Sequence, residues 1–64
     1  MADYYRDVVK LLRENGFEFK RSGRGDHEIW WNPQTGVAVT VDRKLKSRHT
    51  ANGLLKVAGL KKAF

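Results

Sequence analysis

Residues 27–42, His27-Glu28-Ile29-Trp30-Trp31-Asn32-Pro33-Gln34-Thr35-Gly36-Val37-Ala38-Val39-Thr40-Val41-Asp42, decide the fold. His27, Ile29 and Trp31 alternate with Glu28 and Trp30, and Val37, Val39 and Val41 alternate with Ala38, Thr40 and Asp42. That period of two is the signature of a strand with one covered face. Between the two runs, Asn32 to Gly36 carries proline early and glycine last, the composition of a tight turn. The pair reads as a hairpin. Upstream, Phe17 and Phe19 alternate with Glu18 and Lys20, and Ser22 to Gly25 forms a second turn. A third strand therefore precedes the hairpin, giving a three-stranded antiparallel meander with one face buried. Placing Ile29 and Trp31 on the covered face leaves Trp30 on the open one, where an exposed indole stacks on a base, anchors a partner or covers a stem such as Lys20.

The cover is helical. Asp3 is placed to cap a helix running to about Asn15, with Tyr5, Val8, Val9 and Leu12 on one side and Arg6, Lys10 and Arg13 on the other. Gly16 is its left-handed stop. After Val41, a basic connection over 43–46 leads to a second helix that begins at Ser47 or at His49-Thr50. Ala51, Leu54, Leu55 and Ala58 form its stripe, Gly59 ends it, and Leu60 packs back over the cap. Gly53 in its middle costs about 1 kcal/mol against alanine and suggests a close approach of another element. The tail 61–64 reads as loose unless Phe64 docks. The expected class is α+β with element order α-β-β-β-α, a three-stranded antiparallel sheet carrying two helices on one face. Double-stranded-RNA-binding domains share this order, a likeness of fold alone.

The 64 residues allow one domain, taken as 1–64. A chain this short buries only about 60% of its unfolded surface and has no room for a cofactor domain. Thirteen Lys and Arg against seven Asp and Glu give a net charge of +6 and a pI near 10.1, which favours a polyanionic partner. The alternative is a merely solvated basic surface. The absence of cysteine excludes a disulfide framework and a thiolate metal site. No apolar run reaches membrane-spanning length, and the first residues lack a signal-peptide pattern. The expectation is a cytoplasmic protein with no membrane association.

His27 closes the run Arg21-Ser22-Gly23-Arg24-Gly25-Asp26-His27. Imidazole is the side chain that changes protonation near neutral pH without a large perturbation. As general base it can take the proton of a ribose 2′-hydroxyl, or as general acid serve the leaving 5′-oxygen, while Arg21 and Arg24 hold the phosphate with their guanidinium forks and Gly23 and Gly25 let the backbone come close. Asp26 and Glu28 favour imidazolium, and the arginines oppose it. The competing reading makes His27 an ordinary residue opening a strand. Lys44, Lys46 and Arg48, with Arg43, form an acid-free basic cluster ahead of the second helix, suited to phosphates or simply to solvent. His49 sits at that helix's start, where the neutral ring is favoured, and a peripheral role suits it. Two histidines without a third ligand make a poor metal site, so neither metal nor small-molecule cofactor is expected.

Taken in order, these features resemble the HicA family of small type II toxins, the mRNA interferases paired with HicB antitoxins. Asn15-Gly16-Phe17 ends the first helix, and Gly25-Asp26-His27 matches the family's Gly-x-His turn. A Pro/Gly hairpin and a valine-rich strand follow, and Leu45-Lys46 leads to Thr50 and the closing helix 54–60 with its Ala58-Gly59-Leu60 end. The resemblance implies a double-stranded-RNA-binding-like fold, metal-independent cleavage of mRNA with the catalytic histidine at His27, and a HicB-like antitoxin partner that covers the active surface. Asp26 stands where the family usually has serine. It either orients His27 or marks a domain that binds RNA without cutting it, and a protein-interaction domain built on Trp30 is a further alternative.

Overall fold

The computed structural model describes residues 3–64. The order is α1 (Tyr5–Glu14), β1 (Glu18–Ser22), β2 (His27–Trp31), β3 (Ala38–Asp42) and α2 (Arg48–Val57), the α-β-β-β-α arrangement expected. The sheet is antiparallel with strand order β1-β2-β3. Asp3 supports the start of α1 by accepting the Tyr5 N–H at 3.1 Å, although the cap residue itself is Tyr4. Gly16 and Gly59 stop the two helices with φ of +88° and +82°. Ser47 caps α2 by accepting the Thr50 N–H at 3.3 Å.

One core joins both helices to one face of the sheet. Val8, Val9 and Leu12 of α1, Ala51 and Leu55 of α2, and Val39 and Val41 of β3 are buried together, with Phe17 and Leu45 closing the ends. Trp30 lies among them, only 2% exposed. The expected facing of β2 is therefore reversed. Trp30 pairs with Val39 and Glu28 with Val41, so register puts Trp30 and Glu28 on the helix side and His27, Ile29 and Trp31 on the open side. Arg13 lies over the Trp30 ring at 5.2 Å, and Phe19 meets it edge-on at 5.8 Å. Lys20 lies in the β1 irregularity between Phe19 and Arg21, and its ammonium sits 4.8 Å from the Trp31 ring on the open side. The open face thus carries Trp31, half-buried under Lys20, in place of Trp30.

Glu28 is tolerated on the covered face because its carboxylate is satisfied. The Tyr5 hydroxyl donates to it at 2.7 Å and the Trp30 indole N–H at 3.0 Å. Burial, then the hydrogen bond and charge of Glu28, raise the Tyr5 pKa above its ordinary 10.0. A raised folded-state value means that this group's stabilisation is full below the unfolded pKa and is lost as pH climbs through the folded one. The urea midpoint should therefore fall above about pH 10, and Tyr5→Phe should show a smaller fall over the same range.

One further expectation changes, and one is decided between its alternatives. Gly53 does not mediate a close approach: a Cβ there would meet no atom within 4 Å. Of the two readings of the tail, the docked one holds, because Asn52 receives the Ala63 and Phe64 N–H groups and donates to the Phe64 carbonyl. Phe64 packs edge-on against Tyr4 at 5.0 Å. The Asn32–Gly36 turn forms as expected, and Asn32 itself is buried, donating to the Asn15 carbonyl and accepting from the Gln34 N–H.

Candidate functional site

The β1–β2 turn is short and internally hydrogen-bonded. The Gly23 N–H donates to the His27 carbonyl at 2.7 Å, and the His27 N–H to the Arg24 carbonyl at 3.2 Å. Gly23 therefore spends its N–H on the turn, contrary to the expectation that it meets phosphate. Gly25, with φ of +63° and open space where a Cβ would stand, is the glycine that leaves the backbone approachable.

His27 opens β2 on the open face and is exposed. Its Nδ1 lies 2.9 Å from the Arg24 carbonyl oxygen. A carbonyl only accepts, so Nδ1 is the donor of this pair, and the tautomer that fits it makes Nε2 the acceptor nitrogen. The imidazole is oriented by this backbone carbonyl. Asp26 does not do it: its carboxylate turns to Arg43 at 3.5 Å and Lys44 at 3.3 Å. Glu28, expected to bias the His27 charge, faces the other side of the sheet and is held there by Tyr5 and Trp30.

Asp26 thus joins the turn to the β3–α2 connection, and the Arg43 N–H reinforces the junction by donating to the Asp26 carbonyl at 2.8 Å. The fold brings His27, Arg24, Gly25, Arg43 and Lys44 into one loop cluster at one end of the sheet. Arg21 is opposite Ile29 in the β1–β2 ladder, and so shares the open face with His27. Lys46 and Arg48 follow the buried Leu45 and are exposed on either side of the Ser47 cap of α2; among the described residues, no hydrogen bond or ion pair ties them to the cluster. His49 is exposed in the first turn of α2, away from the turn that carries His27.

The sequence reading missed Asp42. It is the cross-strand partner of His27 on the open face. The two form a narrow, non-hydrogen-bonded pair, the kind in which side chains stand closest. Its carboxylate accepts the Lys44 N–H at 2.8 Å, which fixes the connection as it leaves the sheet. Counting back through the turn register would have found this pairing; composition alone would not.

These features define a small basic α-β-β-β-α domain with an oriented, exposed histidine in an arginine-bearing turn. The family model described as HicA toxin of bacterial toxin–antitoxin matches residues 5–63, and the chain belongs to that family. It is accordingly of the toxin class whose partner is an antitoxin. Neither the curated proteins nor the solved structures contain a match to it. Among the described residues, no helix is long and apolar enough to cross a membrane.

Proposed function

We propose that this chain is a metal-independent endoribonuclease, an mRNA interferase whose catalytic residue is His27. The observation that carries the reading is the Nδ1–H to Arg24 carbonyl bond, which leaves Nε2 free on an exposed face beside a basic turn. Nε2 takes the proton of a ribose 2′-hydroxyl, the oxygen attacks the adjacent phosphorus, and the 5′-oxygen leaves with a proton from solvent. Arg21 and Arg24 hold the phosphate as its charge grows, Gly25 admits the backbone closely, and Lys44, Lys46 and Arg48 follow the strand beyond. The natural inhibitor is a HicB-like antitoxin that covers this surface, and the cell compartment is the cytoplasm, where mRNA lies.

This mechanism requires a 2′,3′-cyclic phosphate on one product and a 5′-hydroxyl on the other. End analysis of fragments formed in EDTA tests it. Fragments ending in 5′-phosphate would refute attack by the 2′-oxygen.

The ion pairs of Asp26 favour one qualification of the family pattern: its carboxylate draws on Arg43 and Lys44, which would otherwise be free for phosphate. Asp26→Ser should tighten RNA binding and steepen the dependence of log K on log salt by about 0.7 for each additional phosphate engaged. Both pairs are exposed, so stability should change by well under about 1 kcal/mol. Salt titrations of RNA binding, beside a urea melt, measure both. If Asp26→Ser turns a non-cleaving chain into a cleaving one, the natural protein is instead an RNA-binding module on the same fold.

A further inference from the structure

The two edges of the sheet are built differently. Every residue of β1 is exposed, and that edge carries Glu18, Lys20, Arg21 and an irregular pairing step. Charges and bulges of this kind deter another strand. The edge at β3 has none of these through Ala38-Val39-Thr40-Val41. Asn32 N–H donates to the Val37 carbonyl and Arg43 N–H to the Asp26 carbonyl. The antiparallel alternation between these points directs Val39 and Val41 toward β2, and leaves the N–H and C=O of Ala38 and Thr40 pointing outward, where no strand among the described residues meets them.

Beside this edge runs an open groove of about 500 Å³. Ala38, Val39 and Thr40 form one wall, and Gly53, Leu54 and Val57 of α2 the other. Val57 is 64% exposed, large for an aliphatic side chain, and Gly53 opens the helix wall because nothing fills the space of its missing Cβ. A free strand edge beside an apolar helix wall is the geometry in which an extended peptide adds to a sheet: the backbone supplies affinity and alternate side chains enter the groove.

Charge selects the occupant. Residues 43–64 hold seven of the thirteen Lys and Arg and none of the seven Asp and Glu. Lys56 lies one helical turn beyond Gly53 on the same side of α2 and is exposed. The same charge opposes a second copy, which would bring two +6 chains together along this edge. We propose that β3 and α2 form a docking groove for an extended, acid-flanked segment of a partner protein, which joins the sheet as a fourth strand beside Ala38 and Thr40. Ala38 stands opposite Trp31, at the other end of β2 from His27, so the inference stands independently of RNA cleavage.

The test is a display selection of random linear peptides on the full chain, followed by affinity measurements on the enriched sequences. Enrichment of alternating β-branched sequences with acidic flanks is expected. Gly53→Leu, which fills the groove at a site with room for a side chain, should weaken them at least tenfold, and so should Val57→Glu, which repels the flanks. The amide resonances of Ala38 and Thr40 should shift on binding, while cleavage of RNA by both variants stays as in the parent. Three results would overturn the proposal: no enriched peptide, binding that survives Gly53→Leu, or a chain that sediments as a dimer until Gly53→Leu dissolves it.

Discussion

Trp30→Ala is expected to leave most of the chain unfolded at room temperature. Trp30 is nearly fully buried, pairs across the sheet with Val39, meets Phe19 edge-on and lies beneath Arg13. Its indole N–H is one of the two donors that satisfy Glu28 on the covered face. Truncation of a buried tryptophan costs about 3–5 kcal/mol, and loss of the donor to a part-buried carboxylate adds to that. Chains of this size have roughly 3–10 kcal/mol of stability in total, at about 0.05–0.15 kcal/mol per residue. Trp31→Ala, on the open face under Lys20, should cost less than half as much, and the chain should stay folded. Urea melts followed by circular dichroism distinguish the two; equal losses would contradict the facing of β2.

The second large effect is on chemistry. His27→Ala should lower the RNA cleavage rate by about 10²–10⁴-fold, the range that a positioned general base supplies. The residue is exposed and its ring makes one hydrogen bond, to a carbonyl in its own turn, so the fold should survive. RNA affinity should stay within about threefold, because the arginines and lysines that meet phosphate are untouched. A loss confined to turnover identifies an interaction made in the transition state; an equal loss of affinity would make His27 a binding residue.

The hairpin over 27–42 was legible because turn chemistry and alternation agreed, and so were the helices, each with a glycine stop. The facing of β2 was not. Ile29 and Trp31 make as good an apolar side as Trp30 alone, and a glutamate next to Trp30 argues for solvent. The choice was made by partners distant in sequence: Val39 and Val41 set the register, and Tyr5 satisfied Glu28 from α1. The site was legible in part for the same reason. His27, Arg24 and Gly25 are neighbours in the chain, so the turn could be read directly. Asp26 reaches Arg43 across 17 residues, and Asp42 reaches His27 only through strand pairing, contacts that no local pattern announces. The tail left two readings open in the sequence, loose or docked through Phe64, because what decides between them is a single side chain, Asn52.

The most direct test is single-turnover cleavage of a mixed mRNA substrate in EDTA by the parent chain and by His27→Ala, with RNA binding measured on the same preparations. Cleavage that persists in the chelator and disappears with the imidazole, at matched RNA affinity, is the predicted result. Cleavage that the chelator abolishes, or that His27→Ala retains in full, would contradict the account.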